Sequence, residues 1–167
     1  PATKAADFAA VTTATVAASG AIAGKTVTAA TASAVVVNDN ATASVTKVTV
    51  DGYTGATIGA GGSMNALTNL SLANGTGTAA LTTTQTALNL TVNKVAGTVN
   101  LGASVTNLTV NANSADSKFV LSATGVTTAT VNAAAALDLS GGTFANVETV
   151  TVTGTGNVNL GNISAQT

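Results

Sequence analysis

Residues 105–121 read VTNLTVNANSADSKFVL. The stretch opens on an apolar-x-x-apolar-x-apolar phrase, Val105-Leu108-Val110, whose alternation with polar residues is the period of a half-buried strand. NANSADS follows at 111–117, built from residues that favour turns, and Phe119 to Leu121 begin a second apolar element. The unit is therefore strand, turn, strand.

Working outward, the same phrase stands at Val45-Val48-Val50, Leu67-Leu70-Leu72, Ala87-Leu90-Val92, Val126-Ala129-Val131 and Val147-Val150-Val152. With Val105 included, successive starts are 22, 20, 18, 21 and 21 residues apart. A period near 20 is the mark of a repeat architecture, in which each unit buries its apolar face only against its neighbours. The second element also recurs, at Thr57-Ile58, Ala79 to Leu81, Val99 to Leu101, Leu137 to Leu139 and Val158 to Leu160. Two short strands per coil of about 20 residues, stacked in parallel about 4.8 Å apart, form an all-β parallel β-solenoid (a β-helix).

Aligning the phrases predicts ladders. The position after the second apolar residue is Thr49, Ser71, Thr91, Thr109, Thr130 and Thr151, a column of hydroxyls. Beside it run Asp51, Ala73, Asn93, Asn111, Asn132 and Thr153 on one flank, and Lys47, Asn69, Asn89, Asn107, Thr128 and Thr149 on the other. Stacked Asn amides can hydrogen-bond along such a ladder.

The first third is less regular. Residues 1–44 read as irregular N-terminal coils or a cap, and 45–167 as the regular solenoid of one continuous domain. Ala32-Val35-Val37 fits the phrase, yet Val45 follows after only 13 residues. Either that segment opens a long irregular coil, or Val45 to Val50 is its second strand. VTTATV at 11–16 recurs letter for letter at 126–131, and PATKAADFAA at 1–10 has helix-forming composition but is too short to stand as an isolated helix. The chain begins at Pro1 without Met and stops at Thr167 just past a coil, which reads as a segment of a larger protein.

Composition narrows the function classes. Five basic and six acidic residues leave a net charge of -1, which offers no field for nucleic acid or an anionic membrane. No apolar run is long enough to span a bilayer. His and Cys are both absent, so no imidazole base, thiol nucleophile or thiolate metal site can be built. The acids are scattered; Asp138 and Glu148 are ten residues apart but form no evident catalytic pair. No enzymatic activity is expected. GTGTAA at 75–80 matches a dinucleotide fingerprint by letter, but no amphipathic helix or ribose-binding acid follows, and a turn between coils explains it.

Calcium is the one cofactor with candidates. Asp39 in NDN, Asp51 in VDGYTG and Asp116 in NSADS each lie in a predicted turn and offer hard oxygen ligands. The Gly-Gly-x-Gly-x-Asp nonapeptide of calcium-binding β-rolls is missing, and Asp favours turns without any metal.

LDLSGGTFANVETVTVTGTGNVNL at 137–160 and VNLGASVTNLTVNA at 99–112 resemble the β-strand-repeat regions of bacterial surface-layer proteins of the type I-secreted class. The resemblance implies an extracellular structural role at the bacterial cell surface, self-association into a lattice, attachment to cell-surface polysaccharide through another domain, and ordering by calcium. In that role the solenoid is a rigid spacer and lattice-contact element. The stalk of a secreted adhesin is the alternative, and a threonine ladder also raises a weaker, ice-binding reading.

Overall fold

The computed structural model describes residues 6–8, 13–18, 25–39, 45–59 and 64–163. Among them every regular element is a strand: β1 (Ala6–Phe8), β2 (Thr13–Ala18), β3 (Lys25–Asp39), β4 (Lys47–Ile58), β5 (Asn69–Ala73), β6 (Thr78–Leu81), β7 (Ala87–Asn93), β8 (Ala96–Asn100), β9 (Asn107–Ala112), β10 (Ser117–Ser122), β11 (Thr128–Ala133), β12 (Leu137–Asp138), β13 (Thr149–Gly154) and β14 (Val158–Asn159).

Strand order makes the architecture plain. Hydrogen-bonded neighbours run β13-β11-β9-β7-β5-β4-β6-β8-β10-β12-β14, with every pairing parallel. The first half of β4 heads one run, which takes the first strand of every later coil. Its second half heads the other, which takes the second strands. The fold is a parallel β-solenoid with coils about 21 residues apart. Its core is one continuous cluster from Val35 to Val147, mostly aliphatic with Tyr53, Phe119 and Phe144 among it, and Val150, Val158, Leu160 and Ile163 packed against it.

Register explains which residues fill that core. Val48, Leu70, Leu90, Val110, Val131 and Val152 lie in line across six coils. The first five are between 0% and 2% exposed, whereas Val152, on the last strand, is 49% exposed. Each buried Leu or Val contributes about 1.5–3 kcal/mol before entropy is subtracted. That contribution requires a coil on both sides.

The predicted ladders need one correction. β7 pairs with β9 as Leu88 to Leu108, Leu90 to Val110 and Val92 to Ala112, so this step is 20 residues and not the 18 counted from Ala87. The observed register stacks three apolar pairs and leaves Ala87 exposed. A slip of two residues preserves inward and outward faces, so the polar-apolar pattern is blind to it. The six-hydroxyl column is consequently two columns. One runs Lys47, Asn69, Asn89, Thr109, Thr130, Thr151, and the other Thr49, Ser71, Thr91, Asn111, Asn132, Thr153.

The N-terminal third also departs from both expected readings. β3 pairs with β4 along two stretches, Lys25–Thr28 against Val48–Asp51 and Ala34–Val37 against Gly55–Ile58, with register shifts between. Val35 and Val37 therefore belong to the second strand of their coil, and Val45 to Val50 leads into the first strand of the next. Val16 pairs with Val37, in the second-strand run, while its sequence twin Val131 lies in the first-strand run. Identical letters occupy different sides of the coil. Within the first ten residues, read from sequence as too short for a helix, Ala6–Phe8 form a strand against Val27–Ala29.

The turn joining the two strands of a coil is built on left-handed backbone. Gly52 (φ 69°), Asn74 (49°), Lys94 (54°) and Ser114 (63°) follow one another at that corner. Such a conformation costs a non-glycine residue about 1–2 kcal/mol, least for Asn. Close packing at the corner is tight as well. A Cβ on Gly75 would overlap the ring of Tyr53, which is buried one coil below.

Two stability measurements test this arrangement. Leu108→Ala, with a coil on either side, should lose about 2–5 kcal/mol in chemical denaturation, whereas Val152→Ala at the exposed end should lose well under half as much. Equal losses would contradict the stacked-core account. Lys94→Gly should raise stability by about 1 kcal/mol, since it relieves the left-handed strain at an exposed position.

Candidate functional site

The outward columns are the surface that repetition creates. Asn132 Nδ2 donates to Asn111 Oδ1 at 2.9 Å, and Thr153 Oγ1 donates to Asn132 Oδ1 at 2.6 Å. Asn89 Nδ2 reaches Asn69 Oδ1 at 3.4 Å in the neighbouring column. The amide ladders expected from sequence thus exist in part, and Thr closes them where Asn runs out. These side chains bond along the stack, so the face they form is neutral and regular.

Two further threonine rows, Thr46-Thr68 and Thr86-Thr106-Thr127, were not anticipated. Thr46, Thr68, Thr86, Thr106 and Thr127 stand at the corner before the first strand. There the Thr46 carbonyl accepts the amides of Thr68 and Asn69, both at 3.1 Å. The Thr86 carbonyl takes those of Thr106 and Asn107, both at 2.9 Å, and the Thr106 carbonyl takes Thr127 at 2.9 Å and Thr128 at 3.0 Å. The hydroxyls of Thr106 and Thr127 also donate one coil back, at 3.2 and 3.3 Å. The signal was present in the sequence for Thr46, Thr68, Thr106 and Thr127, each directly after the first apolar residue of its phrase, whereas Thr86 stands just before Ala87, where the phrase runs two residues out of register.

The three calcium candidates lie in different places. Asp51 ends the part of β4 that pairs with β5 and accepts Asn74 Nδ2 at 2.7 Å. Asp116 sits in the exposed turn before β10 and accepts the amide of Ala136 at 3.0 Å. Asp39 is the last residue of β3, and its side chain lies outside the described ones. Asp51 and Asp116 each bond one coil onward. Among the described residues no three His, Cys, Asp or Glu side chains come together as a metal group.

Asp138 is placed more tellingly than sequence suggested. It lies in line with Lys118 and Asn159 on three successive second strands. Lys118 Nζ is 2.9 Å from Asp138 Oδ2, and the Ser140 amide donates to Asp138 Oδ1 at 2.9 Å. Asn159 repeats the turn one coil later, its Oδ1 accepting the Gly161 amide at 3.1 Å. Beside this line is an open groove of about 300 Å³ lined by Asp116, Lys118, Leu137, Asp138, Val158 and Asn159. Its walls supply a paired carboxylate and aliphatic surface. Glu148 stands at the opposite corner, before β13, where its amide bonds the Thr127 carbonyl at 2.8 Å.

GTGTAA follows the structural reading, with buried Gly75 in the turn and a strand, β6, where a dinucleotide fold would need a helix. Two buried side-chain atoms lack a hydrogen-bond partner among the described residues, Asn93 Oδ1 and the Tyr53 hydroxyl. Burial pushes the Tyr53 pKa up to about 12.

Comparison with family models, with curated proteins and with solved structures returned no match. The reading of the site therefore rests on its own geometry.

Hydrogen bonds from Ser140, followed by that from Lys118, hold the Asp138 carboxyl down to about pH 2. A carboxyl depressed in the folded state adds stability above its unfolded pKa, near 3.9, and loses it as pH falls through the folded value. Asp138 followed by NMR should therefore titrate well below the ordinary Asp range, and Lys118→Met should move its midpoint upward. A midpoint at the ordinary Asp value would refute the pairing in solution.

Proposed function

We propose that this solenoid is a structural component of a bacterial cell-surface layer, acting as a rigid spacer and lattice-contact element outside the cell. The observation that carries the reading is a single aliphatic core running coil to coil, jacketed by neutral Thr and Asn columns that bond mostly along the stack. Such an object transmits position rather than transforming a substrate. Each coil is held by its neighbours, so length and stiffness scale with coil number.

What further supports the reading is the sequence resemblance of 99–112 and 137–160 to surface-layer repeat regions. Low charge suits it too, since lattice subunits must approach closely without repulsion. The same resemblance brings calcium into the proposal as an ordering ion, with Asp51 and Asp116 as candidate carboxylates.

Electron microscopy of purified protein and of producing cells, with calcium and with a chelator, tests the proposal. Two-dimensional arrays are the expected result. Isolated rods projecting from the surface, with no array under either condition, would replace it with the adhesin-stalk reading.

A further inference from the structure

The two strand runs present two outward faces, and these treat their polar side chains differently. On the first-strand face amides and hydroxyls bond along the stack, as from Asn132 to Asn111 and from Thr153 to Asn132. On the second-strand face outward Thr57, Thr78, Thr98, Asn100 and Ser122 make no side-chain hydrogen bond among the described residues. Val120, in line with Thr98, is 39% exposed on that face although β10 has a paired strand on either side. Unspent hydrogen-bonding groups around exposed aliphatic surface can be paired by a partner, whereas the first-strand face has less left to offer.

Opposite charges follow one another along the margin of the second-strand face. Lys94 and Asp116 each stand two residues before the aligned pair Ala96 and Lys118, one coil apart. Both are exposed, yet they form no ion pair among the described residues. Asp116 accepts the Ala136 amide, which leaves its carboxylate with further accepting capacity, and the Lys94 side chain has no hydrogen-bond or ion-pair partner. Lys94 also holds left-handed backbone (φ 54°), which suits Gly52 at the same corner and strains a lysine. No hydrogen bond or ion pair of its side chain offsets that strain within the copy.

A second copy turned over supplies the missing partners. A two-fold axis perpendicular to the solenoid axis, passing between β8 and β10, reverses coil order while keeping each outward column opposite itself. Lys94 then faces the second copy's Asp116, Asn100 faces its Ser122, and Thr98 faces its Val120, all three fixed by the register of β8 on β10. Such a contact is isologous, so each pair occurs twice. Five second strands about 4.8 Å apart and three outward columns about 6.6 Å apart offer roughly 500 Å² per copy and roughly 1,000 Å² in all, the floor for a specific interface.

We propose that the second-strand faces of two copies pair in opposite directions, held in register by Lys94 of each against Asp116 of the other. This deepens the self-association in the functional reading above and rests on it. The contact lies across the solenoid axis and is built from coils with neighbours on both sides.

Sedimentation of the whole chain over a concentration series should show a monomer–dimer equilibrium that weakens as salt rises. Lys94→Glu or Asp116→Lys alone sets like charges opposite each other and should weaken pairing about tenfold, and the folded double variant should restore it. Lys94→Gly should weaken pairing while raising stability, which separates the two effects. Thr130→Lys, on the first-strand face, should leave pairing unchanged. The chain has no cysteine, so single replacements report register: a mixture of Asn100→Cys and Ser122→Cys copies should form a mixed disulfide faster than either copy forms its own. A monomer at every concentration, association indifferent to salt and to the charge variants, a folded double variant that fails to pair, or no mixed disulfide would each overturn the proposal. Pairs without arrays would sink the surface-layer reading alone, and arrays that survive the charge variants would sink this one alone.

Discussion

Everything in this molecule depends on parallel, in-register stacking of coils. A strand of two to seven residues cannot satisfy its own backbone groups, and a coil of about 21 residues cannot enclose a core. Both needs are met by the coils on either side, through the same set of parallel pairs. The aliphatic columns and the backbone ladders are two results of one constraint. Val131, with a paired strand on either side, is 2% exposed, whereas Val152, paired on one side among the described residues, is 49% exposed.

The constraint also dictates what the corners must tolerate. Each coil has to turn at the same height as the last, so left-handed backbone recurs at Gly52, Asn74, Lys94 and Ser114 even though only the first is glycine. At the other corner a single carbonyl from the coil below receives two amides, at Thr46, Thr86 and Thr106 alike. Polar groups that a globular loop would leave to water are satisfied along the axis. Tyr53 is an exception in that its ring fills the space above a glycine, Gly75, while its hydroxyl is left without a partner.

For function, the consequence is that chemistry is distributed instead of gathered. Asp51 and Asp116 spend their carboxylates on inter-coil hydrogen bonds, and Asp138 pairs with Lys118. Charge is used locally to hold adjacent coils in line. A protein that works by extending and presenting a regular surface needs little more, and this is the physical content of the structural role proposed for it.

How much of this was legible before folding follows from the periodicities involved. The sequence by itself determined that the chain is all-β, that it repeats about every 20 residues, and that Leu70, Leu90, Leu108 and Val131 face inward, because a strand's two-residue period is written in its polar and apolar letters. It could not decide the partner of each residue. A slip of two leaves every side chain on its proper face, so only packing of Leu88 against Leu108 chose a 20-residue step over one of 18. The same blindness let Val35 and Val37 pass for a first strand and gave VTTATV two identical readings, when β3 shows that the corner positions of the coil decide which sheet a strand joins. The calcium candidates fall under this limit too. Turn composition marked Asp39, Asp51 and Asp116, but proximity between coils is a tertiary property, and Asp51 and Asp116 were set apart by the stacking that made the fold possible.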